Sequence, residues 1–205
     1  MVVRSGIANE TITVRDSAHN MYLKAVQRSI PGSPGGENLS IFYAENIAGS
    51  ANTVTVSQTT PATLRIAILE YSGVAMSNAL DQTSSAQGRS AAPNAGGVTT
   101  TTGGDLLLAG ILTVDPEIYT PGTGYTPEAV IPGEPNTKLL VGQRIQLNAG
   151  PAGAGATLGS ADPWAAVLAA FHPASSQCVM PTTTVPSILG GQPVSTPACP
   201  LGPAR

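Results

Sequence analysis

The sequence predicts an all-β fold, a jelly-roll-like sandwich of antiparallel strands carrying an extended C-terminal tail. Three observations carry that expectation. Short apolar runs of strand length recur along the chain and are rich in β-branched and aromatic residues. The segments between them are punctuated by Gly, Pro, Asn and Ser, with 23 glycines and 18 prolines in 205 residues. Charged residues make up 10% of the chain, well under the ~25% of ordinary soluble domains.

Taken in order, the strand-like runs are ETITVRD, LSIFYAENI, NTVTVSQ, TLRIAILEYSGV, DLLLAGILTV, TKLLVGQRIQL, GATLGS and WAAVLAAF. In NTVTVSQ, Val54 and Val56 alternate with Thr53, Thr55 and Ser57, the period expected when one face is buried and the other wet. LRIAILEY is apolar on both faces apart from Arg65 and Glu70, which suits a central strand. PGSPGGEN, SNALDQTSSAQGRSAAPNAGG and TPGTGYTPEAVIPGEPN read as connections. ADPWAAVLAAF is open to two readings. Asp162 as N-cap, Pro163 at the first helical position and an Ala-rich body would open a helix, while the apolar run would also make a buried strand.

Length suits one domain that buries roughly 70% of its unfolded surface, here residues 1–174, followed by a Pro- and Thr-rich extension over residues 175–205. Nine Lys and Arg are scattered and the net charge is −3, so a basic footprint for nucleic acid or anionic lipid is absent. No stretch approaches the ~20 apolar residues of a membrane helix, and MVVRSGIANETITVRD lacks a signal-peptide pattern. Low charge, Thr, Ser, Gly and Pro richness and a distal cysteine pair nonetheless fit an exported protein.

Within the tail, Cys178 and Cys199 are the only thiols, and the simplest pairing in an oxidising compartment is an intrachain bridge. Closing that loop removes roughly 3 kcal/mol of unfolded-state entropy in the chain-entropy account. Val179, Val185 and Ile188, with threonines between them, could form a donor strand for an open sheet edge, although Pro181 and Pro186 restrict it to edges or bulges. The bland alternative is a disordered terminus.

No G-x-S-x-G elbow, H-E-x-x-H pair or phosphate-binding glycine loop is present, so no enzyme is expected. His19 reads as a turn residue, and His172 stands alone, which argues against zinc. Glu45 and Glu70 could form a carboxylate pair of the glycosidase kind, against the plainer reading of strand glutamates paired with Arg65 or another base. Of eight aromatics, Trp164, Phe171, Phe42, Tyr43 and Tyr71 read as core and Tyr22 is undecided, which leaves Tyr119 and Tyr125 as a platform for a saccharide. Asp115 and Glu117 with nearby carbonyls could hold calcium.

The succession IFYAENIAGSANTVTVSQ, LRIAILEYSGV, the Leu-Asp of NALDQ, GGVTTTTGGDLLLAGILTV, GTGYT and ADPWAAVLAAFHPA resembles a kind of secreted bacterial β-sandwich module. The resemblance spans roughly Val2 to Ala174, implies a jelly-roll-like sandwich and favours the strand reading of DPWAAVLAAF. Such modules carry one or two further strands before the segment that opens here and stop near Phe171 to Ala174. The resemblance therefore implies a domain short of an edge and a tail beyond its usual end. An open edge recruits a strand or aggregates. The expected function is an extracellular structural subunit that assembles with its own copies through strand exchange or tail docking; the alternative is a carbohydrate-binding or adhesive module.

Overall fold

The structure, a computed structural model, describes residues 1–32, 35–49 and 52–174. Fourteen strands and no helix are found among them: β1 (Val2–Ser5), β2 (Ile12–Asp16), β3 (Leu23–Ile30), β4 (Glu37–Tyr43), β5 (Val54–Gln58), β6 (Leu64–Ala67), β7 (Leu80–Ser90), β8 (Asn94–Thr100), β9 (Asp105–Thr113), β10 (Tyr119–Pro121), β11 (Thr126–Ile131), β12 (Leu139–Gln146), β13 (Gly150–Leu158) and β14 (Asp162–Phe171). All named pairings are antiparallel.

The heart of the domain is a sandwich of two sheets, ordered β3-β4-β1-β6 and β11-β12-β9-β14-β7. Side-chain alternation assigns their facing surfaces. Val2, Leu39 and Ile41 from the first sheet pack with Leu106, Leu108, Leu112, Val167 and Ala169 from the second. Alternate residues on the same strands turn the other way. Leu107, Ala109, Ile111, Ala166 and Leu168 meet Ala95, Ala152, Ala154 and Ala156 of the small sheet β10-β13-β8. Val3 and Phe42 likewise meet Val14, Val54 and Val56 of the ribbon β2-β5.

This layering explains why β9 is buried at every position and β14 nearly so. Both strands are covered on two faces and paired on two edges, which selects an unbroken apolar run instead of an alternating one. That context decides DPWAAVLAAF as a strand. Asp162 does accept backbone N–H groups, but those of Val114 (2.8 Å) and Asp115 (3.2 Å) beyond the end of β9, not those of a helix of its own. Trp164 is buried at the start of β14, lies across Gly88 of β7, and donates its indole N–H to Ser90 (3.0 Å). A Cβ at Gly88 would stand 2.9 Å from that ring, so the glycine is required by the approach.

Three sequence-based expectations are corrected. LRIAILEY is not a central strand: only Leu64–Ala67 is paired, at the edge of its sheet, and residues 68–71 leave the sheet. SNALDQTSSAQGRSAAPNAGG is not a connection but contains the eleven-residue β7 and part of β8. Its polar side chains suit β7 because that strand lies at the outer edge of the central sheet. TPGTGYTPEAVIPGEPN supplies β10 and β11, whose prolines Pro121 and Pro127 occupy outer strands, where a missing N–H is tolerated. Cys178, Cys199, Val179, Val185 and Ile188 lie outside the described residues.

Candidate functional site

One cavity of about 310 Å³ opens where the sandwich runs out of paired strand. Its floor is Leu106, Leu108 and Phe171 of the central sheet, and its walls are the segment after β4 (Ala44–Ile47) and the segment after β6 (Ile68–Met76). The shape follows from the early end of β6. Because β6 pairing stops at Ala67 and the chain is next tied down at Gly73–Ala75, which bonds to His172–Ala174 after β14, the intervening residues arch over Leu106 and leave a space between.

The walls are aromatic and the rim is aliphatic. Tyr43 packs against Phe171 with ring centroids 5.3 Å apart and planes at 59°. Tyr71 is half-buried, its hydroxyl has no hydrogen-bond partner among the described residues, and burial followed by the charge of Glu128 pushes that phenol up to about 12. Around the mouth, Ile47, Ile68 and Met76 are 40%, 60% and 71% exposed. Large aliphatic side chains in water are common singly; three on one rim form a patch.

A polar cage beneath the mouth holds one wall in place. Asp16 ends β2 and accepts from the Asn20 backbone (2.9 Å) and side chain (2.7 Å), from Asn52 (2.7 Å) and from the Tyr22 hydroxyl (3.1 Å). Burial opposes ionisation of Asp16, but the donors from Asn52, Asn20 and Tyr22 outweigh it and hold the carboxyl well below its usual range. Asn20 in turn accepts from the Ala48 N–H (3.0 Å), so Tyr22 and the segment after β4 are tied to one carboxylate.

Several residues singled out in the sequence are brought here. Glu45 and Glu70 both line the cavity; Glu45 accepts the Ala79 N–H (2.7 Å), and neither forms an ion pair among the described residues. The segment thus carries its glutamates to a cavity, not to Arg65. His19 is a turn residue with φ 59°, its N–H donating to the Asp16 carbonyl.

Other expectations are corrected. Tyr119 and Tyr125 form no platform, because Tyr119 is buried with its hydroxyl 2.6 Å from that of Thr113, and Tyr125 is half-buried beneath the Arg144 guanidinium while donating to the Gly153 carbonyl (3.0 Å). The calcium set of Asp115 and Glu117 fails at Glu117, which is buried and whose carboxylate is engaged by the Ser160 N–H and hydroxyl. His172 does not stand alone. It lies against Asp81 and Asp105, and among the described residues this is the one group of three metal-ligating side chains that converges. Burial and then the neighbouring Asp81 hold the Asp105 carboxyl above the usual range, against the pull of the Thr102 hydroxyl. Asp81 is also opposed by burial, but hydrogen bonds from Thr101 bring it below.

Compared with family models, curated proteins and solved structures, the chain matches none of them.

Proposed function

We propose that this chain is a non-catalytic, extracellular β-sandwich subunit that associates with copies of itself, and that the cavity between Tyr43 and Tyr71 accepts apolar side chains from the neighbouring copy. The supporting observation is the apolar rim of Ile47, Ile68 and Met76 around an aromatic-walled cavity. Covering a large aliphatic side chain is worth about 1.5–3 kcal/mol, so a partner that seals this mouth gains several such contributions at once. The resemblance to secreted sandwich modules and the low charge support the extracellular assignment. Val179, Val185 and Ile188 are the donor side chains we assign to the partner, with a Cys178–Cys199 bridge closing the segment that bears them.

A saccharide is the second reading, favoured by Glu45, Asn46 and Glu70 beside the tyrosines. It ranks lower because Phe42 and Phe171 are buried, Tyr43 and Tyr71 are half-buried, and the groups that meet solvent most are aliphatic. Replacing Ile68 and Met76 together by Asp separates the readings. Self-association predicts a folded chain of monomer mass where the parent is larger. Unchanged assembly rejects the cavity as acceptor, and a monomeric parent retained on a polysaccharide column selects the second reading.

A further inference from the structure

Strand register carries three side chains, remote in sequence, to one end of the central sheet. β14 lies between β9 and β7, and its last residue, Phe171, stands opposite Leu106 on one side and Leu80 on the other. One step further along the first pairing, His172 comes abreast of Asp105. On the second, Ala170 pairs with Gln82 and Phe171 with Leu80, so Asp81 is the extra residue of a bulge. A bulge re-aims the side chain it frees, and here Asp81 turns to the same imidazole.

The atoms converge. One oxygen from each carboxylate and one imidazole nitrogen lie within 4.8 Å of one another. His172 Nδ1 is 3.5 Å from Asp105 Oδ1, and Nε2 is 3.8 Å from Asp81 Oδ1. These two contacts use opposite ring nitrogens, of which one ion takes only one. With Nδ1 facing the Thr102 hydroxyl, Nε2 is the ligand, and side-chain movement must close the set from within 4.8 Å to the about 3.4 Å ligand separation of a tetrahedral ion with bonds of about 2.1 Å. The Thr102 hydroxyl, which bonds Asp105 and stands 2.9 Å from His172 Nδ1, would serve as the outer partner that fixes ligand orientation.

A second observation points to a ligand. Asp105 is fully buried, and its Oδ2 has no hydrogen-bond partner among the described residues. Its Oδ1 is occupied by Thr102, whereas Asp81 is satisfied by the Thr101 N–H (2.7 Å) and hydroxyl (2.9 Å). No Lys or Arg forms an ion pair with either carboxylate among the described residues. A buried carboxylate oxygen left without a donor is costly; a proton shared with Asp81 or a cation relieves that cost, and the cation also screens the two acids from each other.

We propose that Asp81, Asp105 and His172 bind a divalent transition-metal ion of the zinc class, beside the cleft of about 80 Å³ that His172 lines together with Tyr71, Gly73, Gly104 and Pro173. Mixed carboxylate and imidazole donors suit these ions, whereas calcium takes six to eight oxygens. The site ties the ends of β7, β9 and β14 together beside Phe171, which is also the floor of the larger cavity.

The test is a metal titration of the stripped full chain carrying Cys178→Ser and Cys199→Ser, so that thiols take no metal. Zinc should bind at one equivalent and, at a hundredfold excess over Kd, raise the melting temperature by about 5–10 °C. His172→Ala, at the most exposed ligand, and Asp81→Asn, isosteric at a buried one, should each leave the circular dichroism unchanged and weaken binding by more than the roughly 10–100-fold that loss of an outer partner costs. Cobalt should give the intense visible absorption of a four-coordinate site in the parent and lose it in His172→Ala. Absence of saturable binding, selective binding of calcium, or affinity unchanged in both variants would overturn the proposal.

Discussion

Gly110→Ala tests the packing of the sandwich at its centre. Gly110 lies midway along β9, opposite Val141 on one side and Val167 on the other, on the face turned toward the first sheet. A Cβ built there comes 2.8 Å from Val2 Cγ1, 3.3 Å from Val167 Cγ2 and 3.6 Å from Leu39 Cδ1. Separations under about 3.0 Å do not persist between carbons, so something must move. Val2 has little freedom to do so, because β1 is hydrogen-bonded to β4 on one edge and β6 on the other. Overpacking of this kind costs about 1–3 kcal/mol, which for a domain of this size lowers the melting temperature by about 2–12 °C. Thermal and urea unfolding measure it. Gly97→Ala is the control: its Cβ meets nothing nearer than the Ala152 carbonyl at 3.7 Å, so it should be neutral or stabilising by about 0.5–1 kcal/mol. Val2→Ala should cost less in the Gly110→Ala background than alone, with a coupling of about 0.5–3 kcal/mol. A Gly110→Ala protein as stable as its parent would refute the close approach of β1 to β9 across the two sheets.

Two further predictions concern buried charge. Arg4 and Glu37 form an ion pair inside the sandwich in which Arg4 is 3% exposed and its Nε lacks a partner among the described residues; Glu37→Ala should therefore cost about 3–5 kcal/mol in urea unfolding, whereas Arg4→Met with Glu37→Leu should be neutral or stabilising. Asp16, whose folded-state carboxyl is depressed by its donors, contributes stability that is complete above the ordinary carboxylate pKa of about 3.9 and is lost as pH falls. Melting temperatures compared from pH 7 to pH 3 should show a smaller acid-induced decline in Asp16→Asn than in the parent, and an equal decline would contradict the cage.

Legibility in the sequence tracks how each strand is buried. DLLLAGILTV could be read directly because two covered faces demand an unbroken apolar run. WAAVLAAF has the same cause, yet alanine serves strand and helix alike, so its pairing with β7 and β9 had to decide it. β7 was hidden because an outer strand can be made of Ser, Gln and Thr, and β10 and β11 because their prolines resemble loop punctuation. Of the cavity, Glu45 and Glu70 were visible as a pair of residue types, but their shared location depends on where β6 stops pairing. Asp81, Asp105 and His172 stand in segments that carry the resemblance, NALDQ, TTTTGGDLLL and AAFHPA, but nothing local joins them. Their meeting is a product of register on both edges of β14 and of one bulge.

The most direct measurement of the central claim is the molar mass of the full chain in solution by light scattering across a concentration series, beside the chain truncated after Ala174. Self-association predicts a mass for the full chain that rises above 20.6 kDa with concentration, and a truncated chain that folds but remains at its monomer mass. A full chain that stays monomeric throughout, or a truncated chain that assembles equally well, would contradict the account.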